Sequence, residues 1–379
     1  MRVLVTNPGA DVYGSDLQML ESVTALTGAG FDVLVVSPEA GPLTARLTEV
    51  GARTEVVRFP VIRRAYLSPT GLVRLGLEVL RAGPALRSTL RSARPDVVYV
   101  NTTTIPWWIL AARAARVPVL CHVHEAEDAD PGPVRRLMAA PLTAADRVLF
   151  ISRTAERAAL EVLPRLRRRS VVILNGVPER PDPPVSPPSG PHPRLGFVSR
   201  LSERKAQHVA IAAVDILRRR GRTVELELAG TVYPGNEAYE ERLRRDVRDH
   251  GLEDLVTFSG YVAPSAAVFD RSDVALSLST RDALGNVVVE AQLAERPVVA
   301  AGVGGHLESI VDGETGLHVP PGDPDAVADA VESLLADPAR ARQIALAGRE
   351  SARELFGVRR YGDRVVALVR ELAAERPRR

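Results

Sequence analysis

A chain of 379 residues is longer than one ordinary hydrophobic core, and its 45% apolar content is enough to build two. Its formal net charge of +2 argues for neither a nucleic acid nor an acidic macromolecule as partner, and charges of both signs on 25% of residues exclude a disordered chain. Cys121 is the only cysteine, so no disulfide can form within the chain, which fits a reducing cytoplasm.

The chain opens with Arg-Val-Leu-Val-Thr-Asn (2–7), a short strand rather than a signal peptide. A loop ending in Gly14, Ser15 and Asp16 follows, and then Leu17, Leu20, Val23 and Leu26 recur as on the buried face of a helix. Further strands are expected at 32–37, 54–57, 97–101, 119–123, 147–151 and 171–174, with helical patterns between most of them. The longest charge-free apolar stretch, Val97 to Ala112, contains Asn101, three threonines and Pro106, too short and too polar to span a bilayer. Alternation of strand and helix argues for a parallel sheet with helices on both faces, where ligands bind at the carboxyl ends of strands. That rule gathers Gly14, His122, His124, Ser152 and Asn175 on one rim. Along the strand at 119–123, period two puts His122 and His124 on one face and Cys121 on the other, which argues against a zinc site. Glu125, Glu127, Asp128 and Asp130 form an acidic lip behind them. Region 63–94 sets Arg63, Arg64, Arg74, Arg81, Arg87, Arg91 and Arg94 against one acid, Glu78, and reads either as a solvated face or as a membrane-surface patch.

Seven prolines in residues 181–193 allow neither ladder nor helix and make a stiff linker. It divides a domain at 1–180 from a second at 194–355, with a final segment at 356–379 that carries a helix over 358–374. The second domain restarts the pattern, with strands expected at 195–199, 224–229, 256–258, 274–277, 298–300 and 316–319. Val209, Ala212, Ala213 and Ile216 mark the inward face of its first helix. Asp323-Pro324 and Asp337-Pro338 each read as an N-cap followed by proline at the first helical position.

Chemistry concentrates in two stretches of this domain. Arg200 and Lys205 follow its first strand, and two cations beside a helix start suit a diphosphate. Lys205 is the only lysine among 49 basic residues, a position that keeps a compact ammonium in an arginine-rich chain. In the second stretch, Asp282 lies on a loop, Gly285 and Asn286 stand at a loop-to-helix junction, and Glu290 sits one turn inside the helix. Helical side chains lean toward the N-terminus, so the Glu290 carboxylate reaches back to the helix mouth and its unpaired N–H groups. Two acceptors for hydroxyls beside amide donors suit a nucleotide sugar; a surface aspartate and a capped helix with a solvated glutamate is the alternative.

The spacing Asp282-x7-Glu290, followed by Arg296-Pro-Val-Val-Ala and Gly304-Gly-x-x-Glu308-x4-Gly313-x-x-Gly316, resembles the donor site of retaining family-four glycosyltransferases. Arg200-x4-Lys205, the Gly14 turn, the pair His124-Glu125, Asn175-Gly176-Val177 and Phe258-Ser-Gly260-Tyr261-Val262 resemble further segments of that family. The resemblance implies the GT-B fold: α/β, two Rossmann-like doubly wound domains whose parallel sheets face each other across a cleft, the last helix crossing back to the first domain. It implies catalytic roles for His124, Arg200, Lys205 and Asp282, and donor binding by Gly14, Arg200, Lys205, Tyr261, Asp282, Gly285, Asn286 and Glu290. The first acid of the pair is usually glutamate in that family, so Asp282 is one methylene short. It further implies a nucleotide diphosphate sugar as co-substrate, no metal, no other cofactor, and a hydroxyl acceptor. The location expected is cytoplasmic, with peripheral membrane contact through 63–94 as the further option. A nucleotide-sugar epimerase on the same fold and a non-catalytic nucleotide-sugar-binding protein are the rival readings. A hydrolase using Asp282 and Glu290 as an acid–base pair leaves Arg200 and Lys205 unexplained.

Overall fold

The computed structural model describes residues 1–12, 14–63, 66, 68–125, 132–179, 191–233 and 235–375. Residues 181–190 of the expected linker, and Glu127, Asp128 and Asp130 of the acidic lip, lie outside them. The chain forms two compact units, one from Met1–Gly176 with Val358–Arg379 and the other from Val177–Gly357.

The first unit runs β1 (Arg2–Thr6), α1 (Gly14–Gly28), β2 (Asp32–Ser37), α2 (Pro42–Glu49), β3 (Arg53–Val56), α3 (Pro69–Ala93), β4 (Val97–Asn101), α4 (Trp107–Ala114), β5 (Val119–Val123), α5 (Gly132–Ala139), β6 (Arg147–Phe150), α6 (Arg153–Val162) and β7 (Ser170–Val172). Its strands are parallel in the order β3-β2-β1-β4-β5-β6-β7. Central strands such as β4 and β5 are buried at every residue, because helices cover both sheet faces, and accordingly they are valine-rich. The edge strand β3 is mostly exposed and carries Arg53 and Glu55, charges that discourage pairing with another chain.

The second unit continues with β8 (Arg194–Val198), α7 (Gln207–Arg219), β9 (Glu225–Ala229), α8 (Glu237–Asp249), β10 (Val256–Gly260), α9 (Ala266–Phe269), β11 (Val274–Ser277), α10 (Asn286–Leu293), β12 (Val298–Ala301), α11 (His306–Ser309), β13 (Leu317–Val319), α12 (Pro324–Ala336) and α13 (Pro338–Phe356). Its parallel strands take the order β10-β9-β8-β11-β12-β13. Asp323 and Asp337 cap α12 and α13, accepting from the backbone N–H groups of Ala326 and Arg340 at 3.0 Å each. The last helix, α14 (Val358–Ala374), returns to the first unit and lays Tyr361, Val365, Leu368 and Leu372 into its core. It approaches α1 closely: a Cβ on Gly362 would stand 2.8 Å from that of Ala25.

Two helix faces differ from the sequence pattern. Leu17 is exposed, while Gln18 and Ser22 are buried with Met19, Val23 and Leu26. Polar burial is possible on α1 because the Ser22 hydroxyl is bonded to those of Tyr99 (3.1 Å) and Tyr361 (2.5 Å). On α7, Ala212 and Ile216 are only half-buried, whereas Ala210, Ile211, Val214 and Leu217 are fully inside. That helix packs against α12 as well as the sheet, so its buried stripe is wide and rotated.

Among the described residues, no helix is long and apolar enough to cross a membrane.

Candidate functional site

In each sheet the strand order reverses direction once, between β1 and β4 in the first unit and between β8 and β11 in the second. Loops leaving the carboxyl ends of such neighbouring strands part to opposite sides and leave a crevice for a ligand. Gly14 lies at the end of the loop that leaves β1, Arg200 and Lys205 follow β8, and Asp282 and Gly285 follow β11, whereas His124 and Tyr261 follow the neighbouring strands β5 and β10 and Glu290 lies within α10.

In the second unit, the loop after β8 carries Arg200 and Lys205, and the loop after β11 carries Asp282. The Lys205 Nζ lies 2.5 Å from Asp282 Oδ2, with both side chains largely buried. Two further bonds hold the loops together: the Thr280 backbone N–H donates to the Arg204 carbonyl at 2.8 Å, and the Arg204 guanidinium Nη1 donates to the Arg281 carbonyl at 2.9 Å. Burial alone would raise the Asp282 pKa; the Lys205 ammonium, helped by His306 and Arg204, outweighs it and holds the carboxyl at about 2. The Asp282 carboxyl is therefore ionised at neutral pH.

Arg200 is oriented from one side by Tyr233, its guanidinium carbon 3.4 Å from the ring centroid, a cation–π contact. Beneath the loop, the buried Gln207 side chain donates to Ser199 Oγ (2.7 Å) and to the Arg200 carbonyl (3.1 Å), and accepts from the Tyr239 hydroxyl (3.1 Å). Sequence reasoning missed Gln207; its position at the first turn of α7, directly after Lys205-Ala206, was the available signal. Gln207→Leu is expected to strand these partners and cost about 1–3 kcal/mol of stability. It should also weaken nucleoside diphosphate binding, since the Arg200 backbone loses its support; chemical denaturation and ligand titration measure the two effects.

Helix α10 begins at Asn286, with Gly285 before it in the left-handed region at φ +81°. Glu290, half-buried in the second turn, accepts from the Ser265 hydroxyl at 2.6 Å. Burial lifts the Glu290 carboxyl above the ordinary glutamate range, with the Ser265 bond opposing it. His306, fully buried, is one of the unassigned positions within the glycine motif, and it braces this junction. A Cβ on Gly285 would stand 2.7 Å from its ring. Its Nδ1 donates to the Ala301 carbonyl at 2.9 Å, which leaves Nε2 to accept from the Ser277 hydroxyl at 3.2 Å. Burial depresses the His306 pKa, with Asp282 opposing. Tyr261, expected near the base, is exposed at the carboxyl end of β10.

In the first unit, His124 follows β5. Its Nε2 donates to Asn101 Oδ1 (2.7 Å), Asn101 Nδ2 to Asn7 Oδ1 (2.7 Å), and Asn7 Nδ2 to Asp16 Oδ1 (2.8 Å). This chain crosses the crevice between β1 and β4 and fixes the tautomer: Nε2 carries the proton, and Nδ1 is the acceptor. Burial pushes His124 down to about 3, so it is neutral at physiological pH. Glu125 accepts from the Thr102 hydroxyl at 2.9 Å and from the His124 backbone N–H at 3.2 Å. His122 is a packing residue, buried and 2.5 Å from the Tyr99 hydroxyl. Ser152 caps α6 by accepting from Ala155 N–H at 3.0 Å. Gly14 is the first residue of α1, and no atom would crowd a Cβ placed on it within this unit. Among the described residues, no group of three or more His, Cys, Asp or Glu side chains could hold a metal ion.

Comparison with known proteins covers both halves. A family profile described as "Glycosyl transferase 4-like domain" matches residues 14–176, and one described as "Glycosyl transferases group 1" matches residues 180–351. The chain is 30% identical to the 2-deoxystreptamine glucosyltransferase of Streptomyces kanamyceticus, over 76% of this chain and 81% of that protein. It is 28% identical to the glycogen synthase of Mycobacterium tuberculosis, over 92% of this chain and 90% of that one. The crystal structure of Anabaena HepE in complex with UDP-glucose matches the fold with a TM-score of 0.81 at 22% identity, covering 98% of this chain and 100% of that one. Paired Rossmann-like units, and relatives spanning most of its length, show that this chain belongs to the GT-B glycosyltransferases of family four, which transfer a sugar from a nucleotide sugar.

Proposed function

We propose that the enzyme is a retaining, metal-independent glycosyltransferase that moves a sugar from a nucleoside diphosphate sugar to a hydroxyl acceptor. The observation that carries this reading is the Lys205–Asp282 pair, which joins the β8 and β11 loops where the strand order reverses. Arg200 stands on the same loop as Lys205, and the N-terminus of α10 follows Asp282. Two cations and a helix mouth in one crevice suit a diphosphate, and Glu290 at the helix mouth suits the hydroxyls of a ribose. Asp282 and the Gly285–Asn286 amides take the sugar, and Tyr261 the base. In the first unit, His124 offers Nδ1 to a sugar hydroxyl, and Gly14 keeps its turn free of side chain.

Asp282 is a weak base and a weak nucleophile when its pKa is about 2. Retention then follows from attack on the face the diphosphate leaves. The acceptor oxygen forms its bond to the anomeric carbon as the carbon–oxygen bond to the diphosphate breaks. The acceptor proton passes to a departing phosphate oxygen, and Arg200 and Lys205 counter the charge that grows there.

A thermal-shift panel of uridine and guanosine diphosphates and their sugars should raise the melting temperature for one base series. With that donor, sugar transfer should require an acceptor, release nucleoside diphosphate, persist in excess chelator and give a product with the donor's anomeric configuration. Loss of turnover in chelator with rescue by a divalent ion would refute metal independence. Donor isomerisation without acceptor would favour an epimerase.

A further inference from the structure

Helix α3 follows β3 and precedes β4 in a parallel sheet, so it starts at the carboxyl edge of the strands and ends at the amino edge. Its first half therefore shares an edge with Gly14 and His124. That half leaves large apolar side chains in solvent: Leu72 is 52% exposed, Val73 66%, Leu77 50% and Leu80 75%. At 100° per residue the exposed stripe runs from Val73 through Leu80 to Arg87 and Arg91, turning from apolar to cationic along one face. Arg74 and Arg81 flank the apolar part, and Arg94 ends the helix. Glu78, the only acid of region 63–94, is already engaged by Tyr66 (2.6 Å) and Arg74 (2.8 Å). Beside the helix, a groove of about 880 Å³ between α3 and α4 is walled by Val79, Leu86, Leu90 and Trp107; Arg2, Arg87, Arg91 and Arg94 also line it against one acid, Asp96, which accepts from the Arg2 backbone N–H at 2.8 Å.

We infer that α3 is a docking surface for an anionic phospholipid bilayer, the leucines entering the headgroup boundary and the arginines meeting lipid phosphates. Charge complementarity selects this occupant over a second copy of the chain. A parallel pairing of two such stripes sets arginine against arginine. An antiparallel pairing sets arginine against leucine, with Glu78 already bound. An anionic surface supplies both an apolar layer and the missing counter-charge.

Flotation of the full-length protein with phosphatidylcholine vesicles, alone or mixed with phosphatidylglycerol, tests this. Binding is expected only with phosphatidylglycerol and should weaken at high salt. L77E/L80E and R87E/R91E should each weaken it by about tenfold or more. All four side chains are exposed, so both variants should keep the parent's circular dichroism and melting temperature, and nucleoside diphosphate binding in the second unit should be unchanged. The inference is overturned if the parent stays unbound with phosphatidylglycerol vesicles, or if L77E/L80E floats as well as the parent. A parent dimer that L77E/L80E converts to monomer would also overturn it, in favour of a second copy. None of these failures touches the glycosyltransferase reading, which the donor assay tests separately.

Discussion

Lys205→Ala is expected to slow sugar transfer by about 100–1,000-fold, the range for removing one donor from a developing charge. Lys205 has two tasks that the substitution ends together. On the proposed reading it counters the diphosphate, and in the fold it compensates Asp282, which is held largely out of water. Without the ammonium, burial is opposed only by His306 and Arg204, so the Asp282 pKa rises. The sign of the stability change follows. In the parent, the depressed carboxyl contributes stability that is fully present above its ordinary pKa of 3.8 and is lost as pH falls through about 2. In Lys205→Ala that contribution should shrink, so the acid limb of a melting-temperature profile between roughly pH 5 and 2 should flatten relative to the parent. The double variant Lys205→Ala/Asp282→Asn removes the stranded charge, and should recover stability without recovering turnover. Full activity in a folded Lys205→Ala protein would refute the assigned role. Recovery of turnover in the double variant would show that the lysine acts only by neutralising Asp282.

Gly304→Ala is expected to be among the most destabilising single-methyl additions in the second unit. Gly304 has φ +50°, and a Cβ there would lie 2.2 Å from the Asp282 carbonyl oxygen. Its neighbour Gly305 is equally confined, with Leu284 Cα 2.2 Å from a Cβ position, and its N–H donates to the same Asp282 carbonyl at 2.9 Å. The glycine turn after β12 is therefore pressed against the Asp282 loop, backbone to backbone. A methyl group adds left-handed strain and overpacking, together about 2–5 kcal/mol, or a fall of about 5–15 °C in melting temperature. Because the displaced atoms belong to Asp282, donor affinity should fall further than global stability accounts for. Titration with nucleoside diphosphate sugar below the melting transition separates the two effects. A control at Gly322, also of positive φ (+77°) but with open space around its Cβ, should show the strain without the loss of donor binding.

Much of this was legible in the linear chain. Strand positions followed from short apolar runs bounded by turn residues, and two helix starts from Asp-Pro pairs whose caps are present in the fold. These are local properties, set by side-chain alternation, capping and the fixed torsion of proline within a few residues. The spacing of Arg200, Lys205, Asp282 and Glu290 likewise marked the two loops that the fold brings to one crevice. Local pattern failed where burial was polar. Leu17 faces solvent and Gln18 the interior because hydroxyls from β4 and α14 make a polar interior around α1.

The sequence by itself determined the elements, their alternation and the residue types available for chemistry. Only the tertiary structure decided that Lys205 and Asp282, 77 residues apart, form a hydrogen-bonded ion pair, that His306 wedges beneath Gly285, and that four large apolar side chains of α3 remain in water. The physical reason is that such contacts depend on strand order. Placing β11 rather than a later strand beside β8 sets which loops meet, and that choice is made by packing across the whole sheet rather than by any short stretch of chain.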